Sequence, residues 1–250
     1  MTADFSVSGR VAVVTGASGG IGRAIATTLC NLGAKVIGVA RRVDKLEDWV
    51  TSASGHACFV KADLSKIEEV ADFIPHLNKP FGFPEILVNA AGLNLREPVS
   101  DVSPESFSET IKVNLLAPFF LAQGLVPAMK EKGFGRILNI ASLQTVRAFP
   151  DGLAYGASKG AVGQMTRAMA EAWSKYGVNT NALAPGFIPT DLTKPVFSDP
   201  ARANSLANQT CIERNGNLSD IIGPAVFFLS PASRYVTGQV LFVDGGFTAK

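Results

Sequence analysis

A short apolar, β-branched run, Val11-Ala12-Val13-Val14-Thr15, passes directly into Gly16-Ala17-Ser18-Gly19-Gly20-Ile21-Gly22 and then into a helical pattern over residues 23–32. That junction constrains the fold more than any other part of the chain. The apolar run reads as a buried strand, and Ala24, Ile25 and Leu29 mark the apolar positions of the helix. Glycines reach backbone conformations closed to other residues, and the N-terminus of the helix offers N–H groups without internal partners. Together they can cradle a diphosphate. Gly16, Gly20 and Gly22 do not follow the G-x-G-x-x-G order of the common dinucleotide fingerprint. The segment alone is therefore open to two readings, a dinucleotide turn or an ordinary tight strand-to-helix turn.

The rest of the chain repeats the alternation. Strands are predicted over residues 11–15, 35–40, 58–61, 86–89, 136–140, 178–184 and 239–243. Helices are predicted to begin near Gly20, Val43, Lys66, Pro104, Asn114, Leu153 and Ser219. Strands apolar throughout rather than alternating indicate a parallel sheet covered on both faces. The βα order indicates an α/β, Rossmann-type, doubly wound sheet of about seven strands. A length of 250 residues fits one domain, 1–250. Residues 186–217 lack clear periodicity and carry Pro189, Pro195 and Pro200. Such a stretch is either a substrate lid or a tolerated surface insertion, and its place after Pro185-Gly186 favours the lid.

Tyr155 and Lys159 stand at i and i+4, so a helix puts them on one face. A free phenol ionises near pH 10. A neighbouring ammonium favours the phenolate and is expected to lower the Tyr155 pKa into the range useful for acid–base work. Ser142 could hold a substrate oxygen against that phenol.

The glycine turn with Ser142, Tyr155 and Lys159 resembles the short-chain dehydrogenases/reductases. The resemblance runs through the whole chain: Asp63-Leu64 after the third strand, Asn89-Ala90-Ala91-Gly92 after the fourth, Asn114 in a helix, Pro185-Gly186 with Thr190, and Val243-Asp244-Gly245-Gly246. Ala90 departs from the family's second asparagine at that turn, which puts a local hydrogen bond in doubt. The resemblance implies catalysis by Asn114, Ser142, Tyr155 and Lys159, with Asn114 positioning a water that links Lys159 to solvent. It also implies a dinucleotide held by Gly16, Ser18, Gly20, Ile21, Gly22, Asp63, Leu64, Asn89, Ala90, Gly92, Tyr155, Lys159, Pro185, Gly186, Ile188 and Thr190. A homotetramer with two-fold axes is implied as well.

Cofactor choice is read at the end of the second strand, where an acid would bind the adenosine ribose of NAD. Here Arg41-Arg42 follows Ala40. An arginine suits a 2′-phosphate, so NADP(H) is expected to be preferred with NAD(H) possible, unless Arg42 is simply solvated. For the substrate, Arg96, Gln144 and Arg147 lie in segments expected over the cleft. Either arginine could take a carboxylate or face solvent or another subunit. The stretch Asn94-Leu95-Arg96-Glu97-Pro98 is similar to gluconate 5-dehydrogenase-like sugar-acid dehydrogenases. The whole chain is also similar to 3-oxoacyl-thioester (acyl-carrier-protein) reductases. A general carbonyl reductase and a non-catalytic dinucleotide sensor are further alternatives.

A net charge of +2 without charge blocks gives no sign of a nucleic-acid or anionic-membrane partner. No secretory signal is read at the N-terminus, and no stretch is read as a membrane span. Cys30, Cys58 and Cys211 have no metal spacing, and His56 and His76 are isolated. No metal site is expected, and the thiols suggest a reducing, cytoplasmic setting.

Overall fold

The computed structural model describes residues 4–53 and 56–250. Seven parallel strands form one sheet: β1 (Val11–Thr15), β2 (Lys35–Ala40), β3 (Ala57–Lys61), β4 (Ile86–Asn89), β5 (Gly135–Ile140), β6 (Val178–Pro185) and β7 (Val240–Val243). Their spatial order is β3-β2-β1-β4-β5-β6-β7. The chain builds outward from β1 in one direction, then returns and builds from β4 in the other. Loops at the carboxyl ends of β1 and β4 therefore diverge and leave a crevice between them.

Successive strand residues point to opposite faces of the sheet, and both faces are covered. Ala12 and Val14 of β1 join Ile25, Leu29, Trp49, Ile221 and Phe228 in one core. Val11 and Val13 join Leu77, Leu121, Leu125, Met129 and Met169 in the other. This two-sided burial explains why β1, β2 and β4 are almost wholly apolar, whereas β5 and β6 also bury polar side chains such as Arg136, Asn139 and Asn179 on hydrogen-bond partners. The first core packs α1 (Gly20–Asn31), α2 (Val43–Ser52) and α9 (Leu218–Leu229). The second packs α3 (Val70–Asn78), α5 (Ala117–Lys132) and α6 (Leu153–Trp173).

Three expectations change. The helix expected near Asn114 begins at Ala117, because a five-residue π-turn, Lys112–Leu116, joins it to α4 (Pro104–Ile111). Such an extra residue in a helical ladder is invisible to periodicity. The run Pro104–Lys132 is a 29-residue helix long and apolar enough to cross a membrane by length and composition, against the expectation that no such stretch exists. Here its apolar stripe, including Leu121, Leu125 and Met129, packs on the sheet. The 186–217 segment, expected to be irregular, holds α7 (Lys194–Phe197) and α8 (Pro200–Ala207). Each carries its proline in the first turn, where the missing N–H costs nothing.

Buried polar groups lock the strand ends under the crevice. Asn89 Nδ2 donates to Asn139 Oδ1 at 2.9 Å, and Asn139 Nδ2 donates to Thr166 Oγ1 at 3.0 Å. This chain ties β4 to β5 and β5 to α6. Asn139→Ala strips the buried Asn89 amide of its short acceptor, so it should destabilise the fold by about 1–3 kcal/mol. Urea unfolding of the variant against wild type measures this.

Candidate active site

The crevice is a cleft of about 560 Å³. Its floor begins at the glycine turn. Gly16 and Gly20 have φ of +70° and +54°. A Cβ at Gly16 would lie 2.9 Å from the Ala90 and Ala91 backbone, and one at Gly22 would lie 2.5 Å from the Gly16 carbonyl. Both positions therefore exclude a side chain. The α1 N-terminus has no capping side chain and no acid in its first turn, so its amides are left for an anion. Gly16, Ser18, Gly20, Ile21 and Gly22 all line the cleft. This open, uncapped, anion-seeking cradle fits a dinucleotide diphosphate.

The opposite wall is the turn after β4. Ala90, Ala91 and Gly92 line the cleft, whereas Asn89 does not. Asn89 is 3% exposed; its Nδ2 donates to Asn139 Oδ1 while its Oδ1 has no protein partner, so the structure places it behind the wall as a tie between β4 and β5. The hydroxyl of Thr15 accepts from the amides of Ala90 at 3.0 Å and Ala91 at 3.1 Å. Those bonds hold the turn through its backbone, so the alanine at position 90 takes nothing from it. Thr15 escaped the sequence reading. A polar residue closing an apolar strand next to a glycine was the available signal.

At the end of β2, Arg41 and Arg42 line the cleft, with Asp63 and Leu64 beyond them. Arg42 donates from Nε and Nη2 to the Ser18 hydroxyl at 3.2 and 3.1 Å, and its Nη1 pairs with Asp191 at 2.9 Å. Arg41 lies 4.0 Å from Asp63. Burial pushes the Asp63 carboxyl up, but the Ser65 amide and hydroxyl and the charges of Arg41 and Lys66 carry it below its ordinary value. Pro185, Gly186, Ile188 and Thr190 line the cleft from the far side.

Ser142, Tyr155 and Lys159 meet at the inner end of the cleft. The loop carrying Ser142 is tied to α6 through Thr145, whose hydroxyl donates to the Lys159 carbonyl at 3.2 Å. Ser142 Oγ accepts from the Gln144 amide at 3.1 Å. Burial raises the Tyr155 pKa above its ordinary value, and the Ser142 hydroxyl and the Arg96 charge pull in the opposite direction without prevailing. This corrects the expectation that Lys159 lowers it. Lys159 Nζ turns away to the Ile140 carbonyl at 2.7 Å and stands 5.6 Å from the tyrosine ring centroid. Burial lowers the ammonium itself from 10.5 to about 8.

Asn114 does not line the cleft. Its Oδ1 accepts from Leu93 N at 2.8 Å, and its Nδ2 donates to Leu93 O at 2.9 Å and Ser158 Oγ at 3.0 Å. The side chain clamps the loop after β4 onto α6. Both amide hydrogens and one lone pair of Oδ1 are engaged, so in this structure Asn114 ties these segments together.

Of the three substrate candidates, two reach the cleft. Arg96 and Gln144 line it. Arg147 does not: its guanidinium lies over the Phe247 ring at 5.7 Å, held by the cluster of Phe149, Phe187 and Phe247. Arg96 has φ of +56°, a conformation that costs a non-glycine residue about 1–2 kcal/mol. Among the described residues no group of His, Cys, Asp or Glu could hold a metal ion.

Fold and site together define a dinucleotide-dependent oxidoreductase, and residues 16–248 match the family model described as enoyl-(acyl carrier protein) reductase. The chain belongs to the short-chain dehydrogenase/reductase family. It is 36% identical over 247 residues to the gluconate 5-dehydrogenase of Gluconobacter oxydans (strain 621H), covering 98% of this chain and 96% of that protein. It is 36% identical to the 2-dehydro-3-deoxy-D-gluconate 5-dehydrogenase of Pseudoalteromonas atlantica (strain T6c / ATCC BAA-1087), over the full length of both. A gluconate 5-dehydrogenase from Burkholderia cenocepacia J2315, solved with NADP and tartrate, superposes with a TM-score of 0.92 at 34% identity and 98% coverage of each chain.

The Lys159 shift has a sign that can be checked. Well below pH 8 the ammonium is charged in both folded and unfolded chains, and its burial is fully unfavourable. Between about 8 and 10.5 the unfolded chain binds more protons, so this group adds stability as pH rises. Wild-type stability minus that of Lys159→Met should therefore increase from about pH 7 to about pH 10. Denaturant titrations at both pH values test it, and a decrease contradicts a burial-driven shift.

Proposed function

We propose that this protein interconverts a ketone and a secondary alcohol on a sugar acid, with NADP(H) preferred over NAD(H). The observation that carries the substrate reading is Arg96: a strained backbone holds a cation on the cleft wall, close enough to act on the Tyr155 phenol. Strain of this kind persists where the surroundings fix it, often at ligand clamps. A guanidinium there suits a carboxylate through paired charge-assisted hydrogen bonds. The relatives named as gluconate and deoxygluconate dehydrogenases act on substrates with that group, which supports the reading.

A bound nicotinamide supplies the hydride, and the chain supplies orientation and protons. The glycine turn and α1 hold the diphosphate. Arg41 and Arg42 take a 2′-phosphate beside Ser18. In the reductive direction Ser142 and Tyr155 donate to the ketone oxygen, and Tyr155 gives its proton to the forming alkoxide. A phenol kept protonated by burial is matched to that step. Lys159, with its pKa near 8, titrates close enough to neutrality to return a proton. Asn114 keeps Leu93 and Ser158 in place around this centre.

The 186–217 segment serves as the substrate lid, with Phe187, Leu192, Val196 and Leu206 facing the cleft. Those apolar side chains favour a second reading, a 3-oxoacyl thioester reductase. The three free thiols suit the cytoplasm. A homotetramer is supported by two surfaces. Only 39% of the most apolar window of the Pro104–Lys132 helix is buried, and the edge strand β7 leaves Leu241 exposed beyond the fully exposed Tyr235.

With NADPH as donor, kcat/KM for 5-ketogluconate should far exceed that for an acetoacetyl thioester. Arg96→Met should cut the former about ten- to hundredfold and spare the latter, while Tyr155→Phe should abolish both with NADPH binding retained. Thioester preference together with an inert Arg96→Met would overturn the sugar-acid reading. Sedimentation at micromolar concentration should give a tetramer, and a monomer would contradict the assembly.

A further inference from the structure

Arg42 is already occupied by a group from the chain itself. Its guanidinium is anchored on the Ser18 hydroxyl through two nitrogens, and the third nitrogen pairs with Asp191 at 2.9 Å. Ser18 belongs to the glycine turn, whereas Asp191 opens the first helical turn of the lid, Asp191–Thr193. The pair thus spans the dinucleotide groove. A Cβ at Gly19 would come within 3.0 Å of Arg42 Nη2 and 3.5 Å of Asp191 Oδ2, so the bridge lies directly over the phosphate cradle. The next residue, Leu192, is held from the substrate side, where its carbonyl accepts from Arg96 Nη2 at 3.3 Å. Two arginines from the two ends of the cleft therefore pin consecutive lid residues.

We propose that Asp191 is a specificity-determining residue: an internal anion that competes with the cofactor's 2′-phosphate for Arg42 and latches the lid to the glycine turn until that phosphate displaces it. This rests on the reading of Arg42 as the 2′-phosphate partner. Ionised carboxylate and phosphate ask for the same planar N–H donors, and the bridge is half-exposed or more at both ends, so exchange is cheap. A cofactor without a 2′-phosphate leaves the pair's electrostatic contest unchanged.

Asp191 makes no other side-chain bond that its turn depends on, so Asp191→Asn keeps shape and removes charge. On the full-length protein, Kd is measured by fluorescence titration for NADPH, NADH and adenosine 2′,5′-bisphosphate. Hydrogen exchange over residues 187–197 is followed with and without the bisphosphate. Asp191→Asn should tighten NADPH and the bisphosphate about two- to fivefold, the scale of an exposed ion pair, and leave NADH unchanged. In wild type the bisphosphate should speed exchange in the lid segment. In Asp191→Asn that exchange should be fast from the start. Unchanged affinities, or equal tightening of NADH, would overturn the latch. Arg42→Ala separates the two levels. If it fails to weaken NADPH, the 2′-phosphate reading of Arg42 falls. If it weakens NADPH while Asp191→Asn is silent, only the latch falls.

Discussion

The approach of β1 to the turn after β4 governs the rest of this molecule. At that point the strand order reverses, and two backbones pass so closely that Gly16 has no room for a Cβ beside Ala90 and Ala91. The Thr15 hydroxyl fastens the contact by accepting from both alanine amides. Opening it would separate the glycine turn from the wall that carries Gly92, Leu93 and Arg96. The Asn89–Asn139–Thr166 chain sits immediately below and carries the same alignment through β5 to α6, where Tyr155 and Lys159 stand.

The cleft is organised around cations, each provided with an acceptor from the protein. Arg42 leans on Ser18 and Asp191, Arg96 on the Leu192 carbonyl, and Lys159 on the Ile140 carbonyl. None of these acceptors cancels its cation inside a buried ion pair, so the positive charge stays usable by an anionic ligand. Burial acts on both groups at the inner end: it raises the Tyr155 pKa and brings Lys159 down to about 8.

Much of the fold was legible because its signals are local. Seven short, largely apolar strand segments, a glycine turn at a strand end and regular helix starts are each contained within a short window. Strand bounds came within a residue or two of those observed. The residues in turns and on α6 that the fold brings to one cleft were legible for the same reason. The failures share the opposite property. Asn89 and Asn114 look like groove residues in sequence, yet neither lines the cleft, and each is tied to partners far along the chain. Arg147 sits near Tyr155 in sequence but follows an aromatic cluster drawn from three separate segments. The π-turn and the lid helices were missed because one added residue and prolines at first-turn positions disturb periodicity without ending a helix.

The sequence by itself determined the parallel α/β architecture, the glycine turn that floors the cleft and the Ser142, Tyr155 and Lys159 set, because each depends on spacing along one strand, turn or helix. Tertiary structure decided what those groups do to one another. Only the packed chain shows that burial raises the Tyr155 pKa against the Ser142 hydroxyl and the Arg96 charge, and that Arg42 is held by an aspartate 149 residues away. Dielectric environment and the pairing of distant charges are properties of the folded volume, and no local pattern encodes them.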